Sequence, residues 1–103
     1  MILSTEGEVF EPGQEPLVAP GVRAIVFDAP AGIYVSWISA EREGSGDVGR
    51  FIDSLPKDRR VVFPNVISNR LARMLERRGF EASEESAPEF GRVDIFERLP
   101  RSA

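Results

Sequence analysis

Hydrophobic residues along this chain change their spacing repeatedly, and each change predicts an element. Val22-Arg23-Ala24-Ile25-Val26-Phe27 and Ile33-Tyr34-Val35-Ser36-Trp37-Ile38-Ser39 are two runs rich in β-branched and aromatic residues, separated by Asp28-Ala29-Pro30-Ala31-Gly32. Such side chains pack well on a pleated surface, and Pro and Gly turn the chain between them. The runs predict two strands, and the short gap predicts that they pair antiparallel. The period then lengthens. Val48, Phe51, Ile52 and Leu55 fall at i, i+3, i+4 and i+7, one face of a helix that Pro56 closes. Arg60-Val61-Val62-Phe63, before Pro64, is almost wholly apolar, the mark of a strand covered on both faces in a parallel arrangement. Strand, helix and strand together predict a right-handed crossover.

A second helix follows. Ser68 or Asn69 supplies its N-cap, Leu71, Met74 and Leu75 its core-facing stripe, and Gly79 stands where a helix stops, with Phe80 returning to the core. From Glu81 to Glu89 the chain is acidic and rich in Ser and Ala, which reads as a loop or a weak strand. Arg92-Val93-Asp94-Ile95-Phe96-Glu97-Arg98-Leu99 alternates as a last strand. The opening residues 1–21, broken by Pro12-Gly13, Pro16 and Pro20-Gly21, leave room only for short extended pieces around Glu8–Glu11 and Leu17–Ala19. The expected architecture is α/β (α+β): one domain over residues 1–103, with two main helices on a mixed sheet.

Composition narrows the chemistry. The chain has 103 residues, 42% apolar and 29% charged, which suits one hydrophobic core. It contains neither cysteine nor histidine. Disulfides, thiolate nucleophiles, sulfur-held metals, imidazole bases and every Ser-His or Cys-His arrangement are therefore excluded. No apolar run approaches the ~20 residues that span a bilayer, and the start lacks the pattern of a secretion signal, so a cytoplasmic protein is expected. The net charge of −4 is uneven: residues 57–78 carry seven basic and two acidic side chains inside an otherwise acidic chain. Such a block favours a small anion or an acidic partner over a long nucleic acid, and it also reads as a solvated helix face.

Between the second strand and the first helix lies Arg42-Glu43-Gly44-Ser45-Gly46-Asp47-Val48-Gly49-Arg50. Glycines let a backbone approach a ligand closely, amides at a helix start donate to anionic oxygens, and the helix dipole favours negative charge. The stretch is a phosphate cradle in principle. The same glycines also suit an ordinary strand-to-helix turn, with Asp47 as N-cap. Glu43 and Asp47 oppose an anion unless turned away.

The order from residue 33 to 99, strand, Gly-rich turn, helix, strand, helix ending in Gly-Phe, strand, resembles the core of the GNAT superfamily of N-acetyltransferases. In that family the turn follows an R/Q-x-x-G-x-G/A pattern and receives the pyrophosphate of acetyl-CoA. Ser68-Asn69-Arg70-Leu71-Ala72-Arg73-Met74-Leu75-Glu76-Arg77-Arg78-Gly79-Phe80 is similar to the family's N-x-x-A-x-x-x-Y-x-x-x-G-F helix, with Ser68 at its Asn and Leu75 at its Tyr. The resemblance implies acetyl-CoA held by Arg42, Gly44, Ser45, Gly46, Asp47, Val48, Gly49, Arg50 and Ser68, with its pantetheine arm along Trp37, Ile38 and Ser39. It departs from the family in the spacing of the turn and at Leu75, since that tyrosine often protonates the departing thiolate and leucine cannot.

Catalytic candidates are few. Glu41 stands at the end of the strand, where a carboxylate base would act directly or through water, and Tyr34 is the only tyrosine. Each also has a plain reading: an exposed glutamate, and an aromatic packing in a sheet, as Trp37 would in the core. Arg70, Arg73 and Arg77 fall at i, i+3 and i+7 and would meet the cofactor's phosphates, an acidic partner or water. Two functions follow. One is an acetyl-CoA-binding protein that moves acetyl to an amine; the other is a non-catalytic interaction or assembly module of the same fold, for which a homo-oligomer is one expected partner state.

Overall fold

The computed structural model describes residues 10–11, 13–88 and 91–101. In chain order the elements are β1 (Leu17–Ala19), β2 (Val22–Ala29), β3 (Gly32–Ala40), α1 (Asp47–Ser54), β4 (Val61–Pro64), α2 (Asn69–Glu76), β5 (Glu81–Ala87) and β6 (Gly91–Arg98). The strands form one six-stranded mixed sheet in the order β1-β2-β3-β4-β6-β5. The result is an α+β domain with two helices, none of them long and apolar enough to cross a membrane among the described residues. Two expectations fall partly outside those residues: the extended piece over Glu8–Glu11, and the end of the segment reaching Glu89.

The β2–β3 hairpin pairs antiparallel, from Val22 opposite Ala40 to Ala29 opposite Gly32. Its register slips once: Ile25 faces Trp37 while Val26 faces Val35, so Ser36 is the extra residue of a β-bulge. β3 then runs parallel to β4, but the pairing covers only Ile33 with Val61 and Tyr34 with Val62. Beyond Tyr34 the two strands part, and the rest of β3 pairs with β2 alone among the described residues. β6 inserts between β4 and β5, antiparallel to both.

One core gathers both helices on the same side of the sheet. Val22, Ala24 and Val26 of β2, Ile33 and Val35 of β3, and Val61 and Phe63 of β4 alternate toward it, and Phe51 and Ile52 of α1 with Leu55 just after it meet Leu75 of α2 and Phe80 beyond it. Val61, Val62 and Phe63 are all buried, as their unbroken apolar run predicts. Phe63 and Phe80 meet edge to face, with centroids 5.5 Å apart and planes at 85°. Arg98, itself buried, lies with its guanidinium 4.8 Å from the centre of the Phe80 ring and donates to the carbonyls of Leu55 and Pro56.

The helix ends follow their sequence signals. Leu55 leaves the helix in an extended conformation, as the residue before Pro56 must. Ser68 caps α2, its Oγ accepting from the amide of Leu71 at 3.2 Å. At the other end the amide of Phe80 donates to the Leu75 carbonyl and that of Gly79 to the Glu76 carbonyl, with Gly79 at φ 84°. That is a Schellman turn, and its paired apolar residues, Leu75 and Phe80, are both in the core. The acidic segment after it is a strand, because β6 supplies partners from Glu97 opposite Glu81 to Gly91 opposite Ala87.

Candidate functional site

Where β3 leaves β4, the sheet opens onto a cleft of about 290 Å³. Its floor is the end of β3, with Ile38, Ser39 and Ala40. One wall is the loop Arg42–Gly46 with the first turn of α1, Asp47, Val48 and Gly49. The facing wall is the start of α2, with Ser68, Arg70, Leu71 and Met74. Ten of the residues that the glycine-turn and pantetheine reading names therefore meet around one opening. Trp37 and Arg50 are not on its lining.

The bulge explains the position of Trp37. Ile33 and Val35 point into the core, so strict alternation would send Trp37 there too. The extra residue at Ser36 reverses the faces: Ile38 packs against the core and Trp37, 39% exposed, shares the outer face with its partner Ile25. Ala40, Glu43, Arg70, Leu71 and Met74 complete the lining. Leu71 and Met74 read in the sequence only as a core stripe, and nothing local in the sequence shows that the stripe continues past the core edge into an opening.

Two glycines shape the turn, and Gly49 in the first turn of the helix is buried. Gly44 and Gly46 have φ of 77° and 80°, a left-handed backbone that side chains rarely adopt. Gly46 is the N-cap residue, and no side chain caps the helix. The first helical bond runs from the amide of Arg50 to the Gly46 carbonyl. The amide of Asp47 donates to Ser45 Oγ at 3.3 Å. Val48 and Gly49 are thus left with helix-start amides that have no side-chain acceptor among the described residues.

The acids of this turn are disposed differently. The Asp47 carboxylate accepts from Ser45 Oγ at 2.9 Å, pairs with Arg50 and lies against Gly21 of the β1–β2 turn. Those bonds, Ser45 first and Arg50 second, hold its carboxyl below the usual aspartate range. Arg50 also donates to the Ser45 carbonyl at 3.1 Å, so it clamps the loop from outside. Glu43, on the lining, is exposed and has no charged partner among the described residues. The cations Arg42 and Arg70 stand on opposite walls.

The two catalytic candidates lie elsewhere. Glu41 is off the lining, its amide bonded to the Gly21 carbonyl at 2.8 Å and its carboxylate 3.4 Å from Arg23. Tyr34 belongs to a polar network on the outer face of the sheet. Its hydroxyl donates to Glu85 Oε1 at 2.9 Å and accepts from Arg60 Nη1 at 2.9 Å, while Arg60 also pairs with Glu97 at 2.7 Å. Burial and the bond to Glu85 raise the phenol's pKa above its ordinary value. Burial works against the charge of Arg60, yet its bonds to Glu97 and Tyr34 outweigh burial and strengthen its hold on the proton.

This network predicts an alkaline weakness. A raised phenol pKa in the folded state means that Tyr34 contributes its full stability below the unfolded value near 10, and that this contribution is lost as pH rises through the folded value. Urea midpoints between about pH 8 and pH 11.5 should fall more steeply for the natural chain than for Tyr34→Phe; equal slopes would show that the phenol is not linked to folding.

Leu75, at the position of the family's tyrosine, has no exposed surface and faces the core instead of the cleft. Compared with known proteins, the chain matches no family model, no curated protein and no solved structure.

Proposed function

We propose that this domain is a GNAT-like acetyl-CoA-binding protein that uses the cleft between β3 and β4. The observation that carries the reading is the coincidence of three features in one opening: a length of β3 without a β4 partner, a glycine turn whose helix start has no side-chain cap, and the capped start of α2. The amides of Val48 and Gly49, with Arg42 and Arg70, would take the diphosphate. The main-chain groups of Ile38 to Ala40 would run beside the pantetheine arm. A volume near 290 Å³ suits the arm, since small-molecule pockets start at about 300 Å³, and leaves the nucleotide at the rim. In this reading the strand order, with its parallel β3–β4 pair and the following helix ending in Gly79-Phe80, is the family's core.

Acetyl transfer to an amine forms a C–N bond and breaks the C–S bond, releasing a thiolate that must be protonated. No tyrosine is among the lining residues, whose carboxyl groups are Glu43 and Asp47 on the glycine loop, and buried Leu75 offers no proton. Any acceleration then rests on positioning and on main-chain amides that polarise the carbonyl. Buried Leu75 also favours the second reading, a non-catalytic interaction module that keeps the fold and has lost the chemistry.

Melting the protein in millimolar acetyl-CoA or CoA tests the proposal. A ligand at a hundred times its Kd adds ~2.7 kcal/mol, which raises the midpoint by on the order of 10 °C in a domain of this size. Arg42→Glu should remove most of the rise. An unchanged midpoint in the natural chain would overturn the binding role; a rise without thiol release in the presence of amines would favour the non-catalytic module.

A further inference from the structure

Six arginines of this chain, Arg23, Arg50, Arg59, Arg60, Arg78 and Arg92, each hold a carboxylate. Arg70, Arg73 and Arg77 do not: all three are exposed, and no carboxylate lies within ion-pairing distance of them among the described residues. At 100° per residue they occupy an arc of roughly 60° on α2 and its C-cap, a single stripe about 10 Å long. Unpaired cations gathered on one side of a helix, in a chain of net charge −4, form a local positive surface in a negative surround.

The stripe and the cleft share a wall. Arg70 lines the opening together with Leu71 and Met74 of the same helix, whereas Arg73 and Arg77 are not among the lining residues. An anion seated in the cleft uses Arg70. It does not engage the other two arginines, which are exposed on the same helix and free to meet a larger partner.

We infer that the Arg70–Arg73–Arg77 stripe docks an acidic carrier protein that presents its acyl group on a phosphopantetheine arm, the arm entering the cleft. The inference rests on the reading of the cleft as a pantetheine site. Free CoA and a carrier share that arm and an anionic phosphate at its root, which the Val48 and Gly49 amides serve equally well. They differ in what lies beyond the phosphate. A carrier adds an acidic surface, the electrostatic complement of three unpaired guanidinium groups, and such complementarity steers the encounter and fixes its register.

The probes are an acidic carrier protein with its phosphopantetheine, the same carrier without the arm, and CoA. Binding is followed by fluorescence anisotropy and by the thermal midpoint. The loaded carrier should bind more tightly than the bare one, and about 0.5 M salt should weaken it strongly. Arg73→Glu with Arg77→Glu should weaken the loaded carrier by about tenfold or more and leave the CoA-induced midpoint rise unchanged. Both positions are exposed, and circular dichroism verifies that the variant is folded. A CoA response without carrier binding, or carrier binding indifferent to the double substitution, overturns the inference while the cleft reading stands. A double variant that loses its CoA response also overturns it, since the arginines then serve the free nucleotide. No response to any probe removes the cleft reading and this inference with it.

Discussion

Phe63→Ala is expected to cost the domain about 3–5 kcal/mol, the range for emptying a buried phenylalanine site. Phe63 is 1% exposed and sits in the central strand β4, where its ring meets the edge of Phe80 and where the two helices converge on the sheet. The substitution removes the apolar burial of the ring and the edge-to-face contact. It also loosens Phe80, on which the guanidinium of Arg98 rests. Against a total stability of roughly 5–15 kcal/mol, the variant approaches the limit of folding at 37 °C. Urea unfolding followed by tryptophan fluorescence at Trp37 measures the change. A loss below about 1.5 kcal/mol would mean that neighbouring side chains fill the space and that this junction is not the centre of the core.

The second large effect concerns the position where the resemblance to acetyltransferases fails. Leu75→Tyr introduces the residue type that acetyltransferases of that superfamily use as an acid, and it is expected to damage folding without creating activity. Leu75 has no exposed surface, closes the Schellman turn against Phe80 and faces the core. A tyrosine there is larger than its site, which costs ~1–3 kcal/mol, and it carries a hydroxyl into apolar surroundings, which costs about 1–3 kcal/mol more unless a partner is found. Leu75→Phe, which adds the ring alone, separates the two contributions. If Leu75→Tyr folds as well as the natural chain and releases thiol from acetyl-CoA in the presence of amines, the side chain at residue 75 reaches the cleft and does not belong to the core.

The fold was legible where local pattern and tertiary environment agree. β2, β3 and α1 follow from alternation and from the spacing of Val48, Phe51, Ile52 and Leu55, because each of these faces is covered by the same core. Ser68, Leu55 and Gly79 mark helix ends through bonds that involve only near neighbours in sequence, so their residue types suffice. β5 was readable only as a loop or a weak strand. Glu81-Ala82-Ser83-Glu84-Glu85-Ser86-Ala87 has no apolar face, and its extended form depends on β6, which comes later in the chain.

The site divides along the same line. The glycine turn was visible because a left-handed backbone selects glycine at residues 44 and 46. The side of the sheet on which Trp37 falls was not, because a bulge inserts one residue and no residue type demands it at Ser36. The binding of Tyr34 to Glu85 was equally out of reach, joining residues 51 apart through the path of three strands. Composition removed histidine and thiol chemistry outright, which pattern could not have done.

The early parting of β3 from β4 has a consequence for solubility. Bare strand edges invite the sheets of other molecules, and proteins usually blunt them with charge, proline or a covering element. Here the bare length of β3 lies inside the sheet, at the bottom of a recess walled by a loop and by the starts of two helices. A neighbouring strand, with its side chains and flanking partners, is too broad to reach it. A slender chain of atoms is not, so the domain can keep main-chain hydrogen-bonding capacity on offer to a thin guest without the usual risk of aggregation.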